Sequence, residues 1–221
     1  MKKHFYLLFF FFAMAYGSQA QIKKGDVLLG GTLGFNTQKT TPGDNSNTVA
    51  NKQSSFTITP SIGKAIKDNL LVGFDLNFTG SKNTQGVSSG YTAKSNTYGA
   101  GVFVRKYKPL GSGFAIFMQT RLGGNYNTSK NQDEFAVYPS FKASGYSLDL
   151  SFYPGIAYAI TKRVQLETGF ANLVDVNYAH SKSTTTNNNV TSTDKSNSFN
   201  ISTSLSNEFG FAVGIKVLLG S

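Results

Sequence analysis

Strict alternation of apolar and polar residues recurs eight times along this chain of 221 residues, and it limits the fold more than any other feature. Such a pattern marks a strand with one apolar and one polar face. The first run places Val27, Leu29, Gly31, Leu33 and Phe35 on one face, the second Phe56, Ile58, Pro60 and Ile62, and the third Leu70, Val72, Phe74, Leu76 and Phe78. Tyr98, Ala100, Val102 and Val104 mark the fourth, and alternate positions from Phe114 to Tyr126 the fifth. The sixth extends from Tyr146 to Ile160. The seventh runs from Val164 to Phe170 and on to Tyr178, and the eighth from Ile201 to Leu219.

The connections alternate in length. Lys67-Asp68-Asn69, Pro109 to Gly113 and Thr161-Lys162-Arg163 are tight turns, whereas the segments 37–54, 80–96, 127–144 and 179–198 are long and polar. An even strand count with short turns at one end and long loops at the other is the pattern of outer-membrane barrels. A soluble lipocalin-like barrel also alternates, with its apolar face inside, so composition has to choose between them. Only 14% of residues are charged, against ~25% in ordinary soluble domains. The polar face reads Thr32, Gly34; Thr57, Thr59, Ser61, Gly63; Gly99, Gly101; Ser202, Ser204, which suits a narrow lumen and not a surface in water. The apolar face is large and aromatic, which suits lipid. Lys64 and Lys106 interrupt it near the short turns, where a long side chain can reach a headgroup.

The amino terminus carries an export signature. Lys2 and Lys3 precede an apolar run from Leu7 to Ala15, and Ser18-Gln19-Ala20 offers a cleavage site before Gln21. The run is shorter than the ~20 residues that span a bilayer as a helix. Residues 1–20 are therefore expected to be removed as a signal peptide, leaving 21–221 as one barrel domain with 19 basic and 11 acidic residues. Without a spanning helix in that domain, a closed barrel is the way it can satisfy its backbone polar groups in lipid.

Each strand places an aromatic on the apolar face near its long-loop end: Phe35, Phe56, Phe78, Tyr98, Tyr126, Tyr146, Tyr178 and Phe199. Amphipathic rings favour the headgroup level, so these eight are expected to form a girdle, with Phe209 or Phe211 as an alternative marker in the last strand. The chain also repeats itself. Pro60-Ser61-Ile62 through Leu70 parallels Pro154-Gly155-Ile156 through Val164. Proline removes a ladder hydrogen bond, and its recurrence at one place predicts a local bulge in strands two and six.

The signal peptide ending in Ala20-Gln21, the Thr59-Pro60-Ser61-Ile62-Gly63 and Asp68-Asn69-Leu70-Leu71-Val72-Gly73 hairpin, and Tyr153-Pro154-Gly155-Ile156-Ala157-Tyr158 resemble the small outer-membrane β-barrel domain proteins of Gram-negative bacteria, the OmpA/OmpX-like "porin family" group. The resemblance covers the whole mature chain. It implies an all-β, eight-stranded antiparallel transmembrane barrel, monomeric, with both ends in the periplasm and delivered to the outer membrane by the barrel assembly machinery. One departure is the non-aromatic ending Leu218-Leu219-Gly220-Ser221, where such barrels usually finish on an aromatic that assists insertion.

Seven charges fall on the lumen face: Asp75, Arg105, Arg121, Asp149, Glu167, Glu208 and Lys216. Charges in a narrow lumen are costly unless paired. Counting up from the short turns pairs Asp75 with Arg105, Glu167 with Lys216, and Arg121 with Asp149. The cluster is expected to act as a polar plug, the alternative being a gated path for small solutes or ions.

Chemistry beyond that is sparse. The chain has no cysteine, which excludes disulfides, thiolate metal sites and cysteine nucleophiles. No metal cluster, cofactor loop or carboxylate dyad stands out. A barrel enzyme acting on lipid A would need an activated nucleophile, and His180 beside Ser181 and Ser183, read as the start of the last loop, is the mature chain's single histidine. The dispersed lysines and the export signal argue against nucleic acid. Lys39, Lys52, Lys82, Lys94, Lys130, Lys142, Lys182 and Lys195 are expected on the four long loops, where they would meet lipopolysaccharide or an external macromolecule. A structural or interaction barrel and a narrow channel are thus the two leading readings, with an enzyme a distant third.

Overall fold

Alternating sequences pair most stably when one complete face is buried, because a one-residue slip would turn every side chain to the wrong side. The computed structural model describes residues 22–41, 51–85, 91–133, 139–169, 173–187, 190–203 and 212–219. In them ten strands form a single antiparallel sheet: β1 (Val27–Thr40), β2 (Asn51–Lys67), β3 (Leu70–Gln85), β4 (Tyr91–Gly111), β5 (Phe114–Asp133), β6 (Ser140–Ala159), β7 (Val164–Gly169), β8 (Val174–Asn187), β9 (Val190–Ser202) and β10 (Ala212–Leu219). The order β5-β4-β3-β2-β1-β10-β7-β6 closes on itself through β5–β6 pairing. Eight strands therefore make the ring. β8 and β9 extend the wall above it.

The seventh and eighth alternating runs are each divided. β6 pairs with β8 from Ser140 to Phe152 and with β7 from Gly155 to Ala159, so one long strand serves two neighbours stacked end to end. Pro154 sits at that changeover, where its missing N–H leaves no partner unsatisfied. Neither proline makes the expected bulge. Met118 faces Pro154 in an unbroken register, and the β2–β3 register is the same at Ile58–Phe78 and Ser61–Asp75 on either side of Pro60. The actual register shifts lie at Ala65/Lys67 and Pro109/Gly111, beside the short turns. These turns use left-handed backbone at Asn69 (φ 59°), Gly111 (φ 95°), Ser112 (φ 52°) and Gly113 (φ 79°).

Much of the chain read as long loops is strand. β3 and β4 pair out to Gln85–Tyr91, β4 and β5 to Tyr91–Asp133, and β8 and β9 to Asn187–Val190. Thr favours strands whereas Asn and Lys do not, yet here the register is already fixed by apolar residues below, and the polar strands continue it upward.

Side-chain direction follows the alternation. Leu29, Leu33, Val102, Leu122, Leu148 and Val213 point outward and are roughly half exposed. Leu71, Phe103, Ala157 and Leu218 point inward and are buried. The lower interior is an apolar floor of Leu28, Ala65, Leu71, Tyr107, Phe117 and Leu218, sealed by Ile22 at 1% exposure. Ile22 is held there because its carbonyl accepts from Asn69 N–H (2.9 Å) while Gly25 N–H donates to the Ala65 carbonyl (2.9 Å). The expected signal peptide, residues 1–20, and Phe209 and Phe211 lie outside the described residues.

Candidate functional site

Two layers of charge cross the interior above the apolar floor. The lower is centred on Arg105 of β4. Its Nη1 donates to Glu167 Oε2 on β7 (2.6 Å) and to the Tyr107 hydroxyl (3.0 Å), and its Nε to Gln119 Oε1 (2.6 Å). The Tyr107 hydroxyl in turn donates to Glu167 Oε1 (2.5 Å). Both charged side chains are 5% exposed or less. The guanidinium lies over the Phe117 ring at 4.5 Å, so every side of the cation meets a carboxylate, an amide, a phenol or an aromatic face. β4 and β7 are not neighbours, and this bridge runs through the lumen.

The upper layer is centred on Arg121 of β5. Its Nε and Nη2 grip Asp75 on β3 at 2.8 to 3.0 Å, and its Nη1 donates to Asp149 Oδ2 on β6 at 2.7 Å. Asn125 Nδ2 holds the other Asp149 oxygen at 2.6 Å. To reach Asp75 the arginine must cross the intervening strand β4. It does so over Gly101, which stands directly opposite both Asp75 and Gly123. A β-carbon on Gly101 would lie 2.7 Å from the guanidinium carbon, so a side chain there would push the guanidinium from its present position. Lys216 repeats the device from β10: it crosses Gly30 of β1 and donates to Ser61 Oγ on β2 (2.5 Å).

These contacts correct two of the pairings expected from height. Asp75 binds Arg121 instead of Arg105, and Glu167 binds Arg105 instead of Lys216; Arg121 does bind Asp149. The reason is the stagger that a closed barrel requires. Leu70 at the start of β3 faces Lys106, while β4 continues down to Gly111, so equal counts from the turns are not equal heights. Glu208 lies outside the described residues.

A polar cavity of about 360 Å³ opens above the lower layer and is lined by both arginines, Asp149, Asn177 and Asp175. A smaller one of about 190 Å³ lies below it against Ile22, Tyr107 and Gln165. The Arg105–Glu167 layer lies between them.

On the outer face the aromatics form a row that steps by two residues between β2 and β3 and between β6 and β8. Phe35 faces Phe56, Phe78 faces Tyr98, Tyr98 faces Tyr126, Tyr126 faces Tyr146, and Tyr178 faces Phe199. Below it runs the apolar band down to Lys64, Lys106 and Lys108. His180 belongs to strand β8 and not to a loop. It stacks on Tyr146 (5.2 Å between centroids), and its Nδ1 shares a hydrogen bond with Asn197 Oδ1 (2.7 Å).

Neither a family model nor a curated protein matches the sequence. Solved structures do resemble the fold. The outer membrane protein OprG from Pseudomonas aeruginosa superposes with a TM-score of 0.51 at 13% identity, over 92% of this chain and 100% of that one. A major outer membrane protein from Thermus thermophilus gives 0.50 at 11% identity, over 88% and 99%. The chain has the fold of an outer-membrane β-barrel.

Several parts of the barrel interior escaped the sequence. Tyr107, Gln119 and Asn125 complete the arginine shells, and Asp175 lines the upper cavity. Inward parity was available for all four; the three neutral ones carry no signal until a charge is known to need them, whereas Asp175 is a charge that the parity of the seventh run could have placed in the lumen. The eight lysines assigned to loops stand on strands and are exposed.

Proposed function

We propose that the protein is a non-enzymatic integral protein of the bacterial outer membrane, with a closed lumen and a role in structure or surface contact. The observation that carries the reading is the Arg105–Glu167 bridge thrown across the interior (2.6 Å) over a floor sealed by Ile22. An eight-stranded barrel is just wide enough for its side chains to fill. Here those side chains are tied to one another by charge-assisted bonds, which resist rearrangement. The fold supports an envelope location, and so does the apolar band beneath an aromatic girdle. The protruding walls built by β3 to β6, β8 and β9 then supply the surface that meets lipopolysaccharide or an external macromolecule.

A narrow channel is the second reading, favoured by the polar 360 Å³ cavity. Planar-bilayer recording on the purified mature chain separates the two. The plug predicts no stable discrete openings, and regular unitary steps would replace it with the channel.

A further inference from the structure

The inner wall of the barrel changes character above the charged layers. Asp75, Gly101, Gly123, Asp149 and Asn177 stand level in one row of register, and charge ends there. From the next row upward the inward positions read Asn77, Thr79 and Ser81 on β3 and Asn125, Asn127 and Ser129 on β5, and the other walls are mostly Asn, Gln, Ser, Thr, Gly and Ala. Among the described side chains on this upper inner face, Asp194 near the tip of β9 is the one charge. The hydroxyls and amides brace one another from strand to strand, as in Thr57 to Thr79 (2.9 Å) and Thr97 to Asn127 (2.7 Å). Clefts that concentrate ions are lined by one sign of charge. This mouth is lined by neither.

The funnel ends on the polar cavity of about 360 Å³, a size at the lower end of the ~300 to 1,000 Å³ usual for small-molecule sites. Its lining balances three cations, Arg105, Arg121 and Lys216, against three carboxylates, Asp75, Asp149 and Asp175. An ionic ligand would therefore meet no excess of opposite charge. A neutral ligand rich in hydroxyls would find partners of both kinds, because Arg and Lys donate, carboxylates accept, and Ser, Thr and Asn do either. The groups are already oriented. Arg121 is held between Asp75 (2.8 Å) and Asp149 (2.7 Å), yet its side chain keeps 12% exposure and that of Asp149 13%. Asn125 donates to Asp149 while its own carbonyl oxygen has no partner, a cost that a donor from a ligand would remove. Phe103 and Tyr153 add aromatic surface toward the base, suited to the C–H face of a sugar ring. Beneath them the Arg105–Glu167 layer closes the bottom.

We infer that this cavity is a blind pocket, open to the cell exterior, for an uncharged saccharide ring, taken either as a free sugar or as the end of an external glycan. The inference rests on the closed-lumen reading above for the missing lower exit, and deepens it by giving the surface role a site inside the barrel mouth.

The test uses the folded mature chain in phosphatidylcholine nanodiscs, which carry no sugar headgroup. Calorimetric titration is made with the methyl glycosides of glucose, galactose, mannose and N-acetylglucosamine, with disaccharides ending in the same residues, and with glucuronate and glucosamine as charged counterparts. Two variants accompany wild type. Asn77→Leu/Asn177→Leu replaces two wall amides that bond only to Thr79 and the Leu148 carbonyl, and Gln165→Leu alters the lower cavity alone. At least one neutral glycoside should saturate wild type, bind the wall variant at least about tenfold more weakly because ligand hydroxyls lose their partners, and bind Gln165→Leu unchanged. The charged counterparts should bind at least about tenfold more weakly than that glycoside, since a buried charge without a partner is more costly than a hydroxyl. Heat-modifiable gel migration reports whether each variant is a folded barrel. Should the double variant not fold, Asn77→Ala takes its place, with an expected loss of about threefold. Saturation by no neutral glycoside, equal affinity for a charged counterpart, or equal affinity in the folded wall variant overturns the inference. A disaccharide that binds as tightly as its terminal sugar supports the glycan end, and one that is excluded supports the free sugar. Discrete steps in planar bilayers would remove the closed lumen and leave a measured affinity standing, so the two failures are distinguishable.

Discussion

Glu167→Leu should be among the most damaging single substitutions in the interior, and the structure gives its size. The carboxylate accepts two short bonds, one from the Arg105 guanidinium (2.6 Å) and one from the Tyr107 hydroxyl (2.5 Å). Removing it leaves a buried cation with Gln119, the phenol and the Phe117 face. Breaking a buried pair from one side costs about 3 to 5 kcal/mol, and Arg105→Met, which strands the carboxylate instead, should cost about the same. The double variant Arg105→Met/Glu167→Leu fills the layer with apolar side chains of similar length. Such replacements are often neutral or stabilising, so it should lie within about 1 kcal/mol of wild type or above it, and the cycle should show coupling of about 3 kcal/mol or more. Urea titration in phosphatidylcholine vesicles, read by the shift between folded and unfolded migration on a cold gel, measures all four corners. Single losses that simply add to within about 0.5 kcal/mol, as independent sites do, would refute the cross-lumen bridge.

Gly101→Val should displace Arg121 from Asp75 and destabilise the barrel by about 3 kcal/mol, since it breaks a buried pair; combining it with Asp75→Asn should cost little more, and full additivity in the same urea assay would argue that Arg121 does not cross Gly101. On the outer face, Leu122→Arg should cost about 2 to 4 kcal/mol, the charge for arginine at mid-bilayer, whereas Thr128→Arg, outward but above the girdle, should be close to neutral. Equal costs at the two positions would mean that the aromatic row does not mark the boundary of lipid.

The wall of this barrel was legible because alternation is a local property. Leu29, Val102 and Leu148 point outward and Leu71 and Phe103 inward as their parity requires. The contacts inside were not legible, because they depend on register across several strands. Asp75 and Arg121 are separated by β4 and joined only because Gly101 lies level with both, which no count along one strand reveals. The upper walls were hidden for a different reason. Runs such as Thr184-Thr185-Thr186 look like loop by composition, yet Thr184 faces Lys142 and Thr193 in ordinary register. The division of the seventh run left only a small trace: Thr168 and Val174 keep the same parity, and the alternation lapses between them at Asn172 and Leu173, where the neighbour of β6 changes.

The absence of cysteine makes the central claim directly measurable. Single cysteines placed along β4 at alternating outward positions from Lys94 to Lys106, and at the inward positions Gly99 and Phe103, can carry spin labels in a protein reconstituted into vesicles. Collision rates with oxygen, which concentrates in lipid, and with a water-soluble nickel chelate then report depth. A barrel girdled as described predicts oxygen-dominated collisions at Ala100, Val102 and Val104, chelate-dominated collisions at Lys94 and Lys106, a crossover at Tyr98, and little of either at Gly99 and Phe103. Chelate-dominated collisions at Ala100, Val102 and Val104 would contradict it, because the large apolar face would then be turned to water.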